Sequence, residues 1–336
     1  MASRDTQTRY SGALVAEIRN HRWPWTPETV YLGGGTPSQM PPELLSEIMA
    51  AIPAGALTEV TIECAPGSMN RERLENWRAC GINRVSLGVQ SFDTSELRQT
   101  GRRHTAETVA SDVEMLRKAG IHDINIDLIA GLPNQTRESW IRSLEWLERL
   151  SAPHASVYIF EIDQDSRLGK EVLLGGTRYG AGLIPSDDLT AELYEMAIER
   201  LAGFGLKRYE ISNFAQPGFE SRHNLKYWNL EPYIGFGLDA HSFDGSYRWS
   251  NPDDLDAYLA GEASDRMRSD ISEEHFFVGL RLTNGIEPTP AEWERFDAPI
   301  QKWLGEGMLH RDGNRLRLSD RGLLVSNEIF EEFIHV

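Results

Sequence analysis

The sequence predicts an α/β fold in which parallel β-strands alternate with α-helices and close into a barrel or partial barrel. Short β-branched and aromatic runs recur along the first two thirds of the chain, separated by stretches of roughly a dozen residues with helical periodicity. Polar residues stand at or just past the carboxyl ends of successive runs, which is where barrel folds carry their sites. The length of 336 residues suits one large domain or a large domain with a smaller one.

The composition narrows the class of protein. Hydrophobic residues make up 40% of the chain and charged residues 25%, as in ordinary globular proteins. The net charge of −17 argues against a nucleic-acid or anionic-membrane binder, both of which need a basic surface. No apolar run is long enough to form a transmembrane segment, and no secretory signal opens the chain. Because the only cysteines are Cys64 and Cys80, we expect no disulfide framework and a cytoplasmic location.

The elements follow in order along the chain. A helix is predicted over 10–19, and the Pro-rich stretch after Trp23 ends it. Strands are predicted at 29–32, 59–63, 83–89, 124–129, 155–160 and 208–211. The intervening helices begin near Pro42, Asn70, Thr105, Thr136 and Leu189. This alternation predicts βαβ units and a parallel sheet.

A glycine-rich turn follows the opening strand. The run Val30-Tyr31-Leu32 leads into three glycines, 33–35, and then Thr36-Pro37. Glycines allow positive φ angles and let a ligand lie directly against the backbone. Such a motif alone is weak evidence, because it also occurs in ordinary turns between a strand and a helix.

Four polar residues stand at equivalent places after successive strands: Thr36, Glu63, Gln90 and Asp127. Each alone is explained equally well as a helix cap or a loop brace. Together, beside three glycines, they predict a polar cup for an amino acid, a ribose and a base, in which carboxylates and an amide accept and donate hydrogen bonds. Arg102 in the same region can pair with a carboxylate through its planar guanidinium.

The region after residue 252 changes character. A short helix at 253–259 and a polar linker at 260–270 precede a helix that we expect Ser272-Glu273-Glu274 to cap. A β-hairpin is predicted over 309–318 with its turn at Asp312-Gly313, followed by a last helix running from 319 to 336. This outline resembles a winged helix. The acidic total argues against DNA binding, so we expect this region to brace or cover the barrel.

Several motifs together resemble one known family. The strings YLGGGTPS, TIECAPG, NRVSLGVQSFD, GRRHTAE, NIDLIAGLPNQT, RYEISNFAQPG and SRHNLKYW resemble the oxygen-independent coproporphyrinogen III oxidase group of radical S-adenosylmethionine (SAM) proteins. Within that group they are most similar to the heme-chaperone branch, HemW. The resemblance implies a partial (β/α)6 TIM-like radical SAM barrel over 1–215, a connecting segment over 216–268, and a C-terminal α+β, winged-helix-like domain over 269–336.

The resemblance also implies roles for particular residues. It places Gly34, Gly35 and Thr36 at the methionine ammonium group of SAM. The other SAM-contacting positions of the family correspond to Glu63, Gln90, Arg102 and Asp127. No catalytic residue and no metal ligand are assigned.

The segment Ser221–Trp228 carries the pattern His-Asn-x-x-Tyr-Trp, which is typical of the chaperone branch. A lone histidine is more often a hydrogen-bonded structural residue, and the aromatics beside it can be core residues. The resemblance nevertheless favours His223 as a heme contact, either an axial imidazole or a hydrogen-bonding neighbour, with Tyr227 and Trp228 over a porphyrin face. His241 is a second candidate, in a loop whose usual Pro-Gly is Leu238-Asp239 here.

The most important departure from the family is at the N-terminus. The family begins with a strand and a Cys-x3-Cys-x2-Cys loop whose thiolates hold a [4Fe–4S] cluster, and that motif is absent from these 336 residues. Cys64 and Cys80 cannot replace three ligands and are more simply explained as small buried residues. We expect a truncated sequence rather than a naturally cluster-free one, and an unpaired sheet edge beside the strand 29–32.

Two functions follow from the resemblance. The first is a heme chaperone that binds heme and passes it to a client hemoprotein, with SAM as a further ligand. The alternative is oxygen-independent coproporphyrinogen III oxidase, which decarboxylates two propionates by radical SAM chemistry. The His223 motif favours the chaperone, and whether the chain is an enzyme stays open.

Overall fold

The computed structural model describes residues 4–53, 55–161, 174, 176, 182–262 and 265–334. These residues form two compact units. One consists of residues 30–40 and 59–220, and the other of the remaining N-terminal segments together with 221–336. The predicted division at residues 215 and 268 stays a prediction. No helix in the described ranges is long and apolar enough to cross a membrane.

The first of these units is built around a seven-stranded sheet. Its strands are β1 (Thr29–Leu32), β2 (Glu59–Cys64), β3 (Arg84–Gln90), β4 (Asp123–Ala130), β5 (His154–Ile159), β6 (Lys207–Arg208) and β7 (Asn213–Ala215). They lie in the order β1-β2-β3-β4-β5-β7-β6. The pairs from β2 to β5 are parallel, as the alternation of strands and helices predicted. Among the described strands β1 lies at the sheet edge, also as predicted.

The far edge of this sheet differs from the prediction. The expected strand at 208–211 is only Lys207–Arg208, and it pairs with β7 rather than β5. β7 runs antiparallel to both neighbours. Tyr209 N–H bonds to the carbonyl of Asn213, which closes a tight turn between the two short strands. The chain therefore reverses here because a turn replaces the crossover helix that a parallel strand requires.

Within the described ranges, five helices accompany this sheet: α3 (Arg71–Ala79), α4 (Thr94–Gln99), α5 (Ala106–Lys118), α6 (Arg137–Leu150) and α7 (Asp187–Gly203). The helix starts predicted near Asn70, Thr105 and Thr136 are confirmed. The Asn70 side chain accepts from Arg73 N–H, and Thr105 and Thr136 both form capping boxes.

The two faces of the sheet differ in polarity. In β4, Ile124, Ile126 and Leu128 are fully buried, while Asn125 and Asp127 alternate with them. Parallel strands that are buried on both faces normally read as continuous apolar runs. The period of two therefore marks one apolar face and one polar face, and the polar face carries the candidate site.

The other unit holds the remaining helices and two small sheets. Its helices are α1 (Arg4–Asn20), α2 (Pro42–Ala51), α8 (Arg222–Trp228), α9 (Leu255–Ala260), α10 (Ile271–Phe277), α11 (Pro290–Arg295), α12 (Asp297–Gly305), α13 (Asp320–Leu324) and α14 (Ser326–Glu331). Strands β8 (His241–Phe243), β9 (Tyr247–Ser250) and β10 (Met267–Arg268) form one antiparallel sheet. Strands β11 (Leu309–Asp312) and β12 (Arg315–Leu318) form the predicted hairpin.

Three predicted details of the C-terminal region are wrong. Asp270, not the 272–274 segment, caps α10, because its carboxylate accepts from Ser272 N–H and Glu273 N–H. The hairpin turn is Gly313–Asn314, because Asp312 pairs with Arg315 across the hairpin. The predicted last helix divides into α13 and α14. Its expected end at residues 335–336 lies outside the described residues.

Candidate functional site

The glycine turn after β1 presents bare backbone. Gly34 and Gly35 take φ angles of 75° and 60°, and a Cβ added to either would meet no atom within 4 Å. Residues 33–36 are exposed, so Thr36 also lies on this open turn. Gly33 is different, since a Cβ there would lie 2.7 Å from the Tyr31 ring. The turn therefore requires glycine for its left-handed backbone and for its contact with Tyr31.

Glu63 ties the turn to β2. Its Oε2 accepts from Gly34 N–H at 3.2 Å, and its Oε1 accepts from the Tyr31 hydroxyl at 2.9 Å. Burial raises the pKa of Tyr31, and the charges of Glu63 and Asp127 raise it further. Tyr31 therefore stays a neutral phenol and a donor. Glu63 is half-buried, so it can accept from a ligand at this surface.

Asp127 lies on the same polar face. Ser86 pairs with Glu63 on one side and with Asn125 on the other, so these three positions share a face, and Asp127 follows two residues later. The Ser86 hydroxyl donates to Asp127 Oδ2 at 3.0 Å, and the Asn125 amide donates to Oδ1 at 2.7 Å. Burial raises the pKa of Asp127 to about 6, and the nearby charge of Glu63 adds to the effect.

Gln90 reaches the same face through an irregular strand end. Its φ is 68°, and the register between β3 and β4 shifts between Leu87 and Gln90. A Cβ added to Gly88 would lie 3.2 Å from Gln90 Nε2, so the amide folds back over Gly88, on the face of Ser86. A non-glycine residue with a left-handed backbone next to a bulge is the kind of local strain that accumulates at functional sites.

Arg102 lies in the segment that packs on the end of β3. His104 Nε2 is 2.9 Å from the carbonyl of Val89, directly before Gln90. The pKa of His104 is lowered by burial first and by the Arg102 charge second, so the two side chains are close. Arg102 is half-buried and makes no ion pair with the described residues. Its guanidinium is therefore available to an anionic group.

A polar network behind Asp127 was missed by the sequence analysis. Asn125 Oδ1 accepts from His154 Nδ1–H at 2.7 Å, because the Asn125 amide nitrogen is already directed at Asp127. His154 Nε2 then accepts from the Tyr209 hydroxyl at 2.8 Å. Burial holds the pKa of His154 well below its usual value, so it is a neutral link. The alternation of polar residues in β4 and β5 was the available signal.

The heme candidates lie on α8. His223 is hydrogen-bonded at both ring nitrogens, Nδ1 to Thr29 Oγ1 at 2.8 Å and Nε2 to the Tyr227 hydroxyl at 2.8 Å. Tyr227 packs edge-on against Tyr233, with ring centres 4.5 Å apart. Burial raises the pKa of Tyr227 to about 12, so it stays protonated. Trp228 follows on the same helix, and all three candidates are half-buried.

The loop at 235–242 carries Leu238-Asp239 where the family usually has Pro-Gly. Asp239 takes a φ of 56°, the left-handed conformation that glycine favours. Glu17 anchors the loop, since its carboxylate accepts from Gly237 N–H at 3.0 Å and from the Asn251 amide at 2.7 Å. His241 has a side chain that is 69% exposed, so it is open to a ligand but not enclosed by one.

The residues present do not fit an iron–sulfur cluster. The Cys64 thiol lies 3.4 Å from Ser68 Oγ, and burial raises its pKa to about 11, which keeps it protonated. Cys80 is the only other cysteine in the 336 residues. The described residues contain no group of three His, Cys, Asp or Glu side chains placed to bind a metal. We therefore derive no step through a cluster held by these residues.

The chain is similar to known families and proteins. Residues 3–147 match the Radical SAM superfamily, and residues 268–325 match the HemN C-terminal domain. Heme chaperone HemW of Lactococcus lactis is 34% identical over 91% of this chain and 84% of that protein. Heme chaperone HemW of Bacillus subtilis is 31% identical over 91% and 85%.

A mitochondrial relative and a solved structure extend this comparison. Radical S-adenosyl methionine domain-containing protein 1 of Bos taurus is 30% identical over 90% of this chain and 74% of that protein. Among solved structures, coproporphyrinogen III oxidase (HemN) from Escherichia coli has a TM-score of 0.83, covering 100% of this chain and 85% of that one. At 22% identity this likeness establishes the fold alone.

Proposed function

Because the chain belongs to the HemW group of radical SAM proteins, we propose that it binds heme and transfers it to a client hemoprotein. Several relatives over nearly the whole chain carry the name heme chaperone HemW. The observation that supports the proposal most is His223, a half-buried imidazole that is hydrogen-bonded to two hydroxyl groups and lies edge-on to the Tyr227 ring.

The hydrogen bonds of His223 suit reversible iron binding. If Nδ1–H donates to Thr29 Oγ1, Nε2 is the basic nitrogen and accepts from the Tyr227 hydroxyl. A donated Nδ1–H bond also orients an imidazole that ligates a metal through Nε2. Heme iron would then displace the Tyr227 hydroxyl. Losing one such bond costs about 0.5–1.5 kcal/mol, which weakens heme binding and favours later release.

The aromatic rings supply the rest of the heme site in this proposal. Tyr227 and Trp228 present flat, partly exposed surfaces, with ring centres 6.5 Å apart. Aromatic side chains bury large apolar areas and stack on extended ring systems. We assign Tyr227 and Trp228 to the porphyrin face and keep His241, which is mostly exposed, as a secondary contact.

The polar face of the seven-stranded sheet is our proposed SAM site. Gly34 and Gly35 offer open backbone, Glu63 and Asp127 offer carboxylate oxygens, and Gln90 offers an amide. Thr36 and Arg102 complete the set. These groups suit an ammonium, two ribose hydroxyls and a carboxylate. SAM bound here supplies a sulfonium and, in its family, a source of radical chemistry.

The oxidase alternative has weaker support. Its basis here is the similarity of the fold to that of HemN, and a similar fold does not establish the same activity. We place the chaperone in a reducing cytoplasm, in keeping with two cysteines that form no disulfide bond.

Hemin titration followed by Soret absorbance tests the proposal. We expect one saturable hemin site in the wild type and a loss of at least roughly tenfold in affinity for His223→Ala, since an axial bond is removed. His310→Ala, on an exposed strand, is the matched control and should bind like the wild type. Equal affinities of His223→Ala and wild type would exclude His223 as the ligand.

A further inference from the structure

Arg281 stacks on the last residue of the His223 helix. Its guanidinium carbon lies 4.6 Å from the centre of the Trp228 ring. Arg281 belongs to a short 3-10 turn, Gly279–Arg281. A Cβ at Gly279 would lie 2.6 Å from Ile286 Cγ2 and 3.9 Å from the Trp228 carbonyl oxygen. The turn therefore lies in van der Waals contact with the end of α8, and the absence of a side chain at Gly279 allows the close approach of Ile286.

The buried N–H groups of Arg281 and Trp228 have no hydrogen-bond acceptor among the described residues. Of the arginines described in 221–334, two are half-buried, Arg248 and Arg281. Arg248 forms a bidentate pair with Glu274 at 2.7 and 2.8 Å. Arg281 makes neither a side-chain hydrogen bond nor an ion pair with the described residues, and its Nε is buried. Trp228 Nε1 is also buried without a described acceptor.

An unpaired half-buried guanidinium is unusual in a chain with a net charge of −17. Desolvated charges are costly unless an opposite charge accompanies them. Stacking on an indole holds the guanidinium plane, and a planar guanidinium matches a carboxylate. We propose that Arg281, held on Trp228, binds a propionate carboxylate of the heme.

This inference rests on the proposed heme site and adds the group that recognises the porphyrin edge. Trp228 lies about 1.4 helical turns beyond His223, and its ring centre is 6.5 Å from that of Tyr227, so the cation stands beside the Tyr227–Trp228 part of the proposed aromatic surface. The propionates are the anionic substituents of heme, and they extend from one edge of the ring. A cation beside the aromatic surface orients that edge, while His223 holds the iron.

The test compares hemin with hemin dimethyl ester, in which both propionates are esterified and uncharged. Soret titrations are run with both ligands in the same detergent-containing buffer. We expect Arg281→Gln to lower hemin affinity about tenfold and to leave ester affinity unchanged, because only the carboxylate contact is lost. Arg281→Lys keeps the charge and should retain part of the hemin affinity.

Arg311→Gln is the matched control. Arg311 also stacks on an indole, with its guanidinium carbon 4.0 Å from the Trp293 ring centre. The Arg311→Gln variant should bind hemin and the dimethyl ester with the same affinities as the wild type. If Arg281→Gln does not fold, the wild type alone decides, because it should bind hemin more tightly than the ester.

The outcomes separate the two proposals. Saturable hemin binding with equal ester affinity, or equal losses for both ligands in Arg281→Gln, would overturn the propionate contact and leave heme binding intact. If Arg281→Gln loses affinity for the ester as well as for hemin, Arg281 acts through packing. If the wild type binds neither ligand, the proposed heme function itself is refuted.

Discussion

Replacing Asp127 with Asn should stabilise the protein at neutral and alkaline pH. Burial and the charge of Glu63 raise the pKa of Asp127 from 3.8 to about 6. Between about pH 4 and 6, Asp127 is therefore protonated in the folded protein but ionised in the unfolded chain. Because the folded state binds the extra proton, the free energy of unfolding rises as the pH falls through this range. Above about pH 7 the full penalty of the buried carboxylate is present.

The size of this effect follows from the pKa difference, which corresponds to at most about 3 kcal/mol. Because the side chain keeps some access to water, we expect Asp127→Asn to gain about 1–2 kcal/mol at pH 8. The gain should shrink toward pH 4.5. Urea unfolding across this range measures it, with Asp265→Asn on an exposed side chain as the control for charge. A gain that does not vary with pH, or a less stable variant at pH 8, would refute the reasoning.

Three further predictions concern Glu63, Asp239 and Glu17. Glu63→Gln should weaken SAM binding about tenfold in a calorimetric titration, because a charged hydrogen-bond acceptor is lost. Glu72→Gln, at an exposed position, is the control and should bind SAM like the wild type. Equal SAM affinities of Glu63→Gln and the wild type would show that Glu63 does not contact SAM. Asp239→Gly should raise the free energy of unfolding by about 0.5–1 kcal/mol, because glycine tolerates a φ of 56°; an unchanged thermal midpoint would contradict this. Glu17→Ala should lower the free energy of unfolding, measured in urea, by about 2–3 kcal/mol, because Gly237 N–H, the Asn251 amide and the Tyr258 hydroxyl all lose their acceptor. A loss below about 0.5 kcal/mol would be inconsistent with those three hydrogen bonds.

The strands and helices of the seven-stranded sheet were predictable because each carries a local signal. Periodicity located β1 to β5, and Asn70, Thr105 and Thr136 marked helix starts through side chains that bond within one turn. The two short strands β6 and β7 have no usable periodicity. Their antiparallel pairing depends on a tight turn, and the geometry of that turn cannot be predicted from residue propensities alone.

The candidate site was only partly predictable. The pattern of polar residues near strand ends located Glu63, because the carboxyl ends of parallel strands meet at one edge of the sheet. Asp127 was expected at a strand end but lies inside β4, three residues before its last residue. The partners of His223 and Asp127 were not found, since Thr29 is 194 residues from His223 and Asn125 links strands that meet only in the fold. Arg281 belongs to no sequence motif, and its lack of an acceptor among the described residues is a property of the packed structure.

Transfer of heme from the loaded protein to an acceptor is the direct test of the proposed chaperone function. Hemin-loaded protein is mixed with an excess of apomyoglobin, and the Soret band is followed as heme moves. We expect complete transfer from the wild type. We also expect slower transfer from Tyr227→Phe, because the hydroxyl that competes with iron for His223 Nε2 is gone. A protein that never loads hemin, or a Tyr227→Phe variant that releases heme as fast as the wild type, would contradict it.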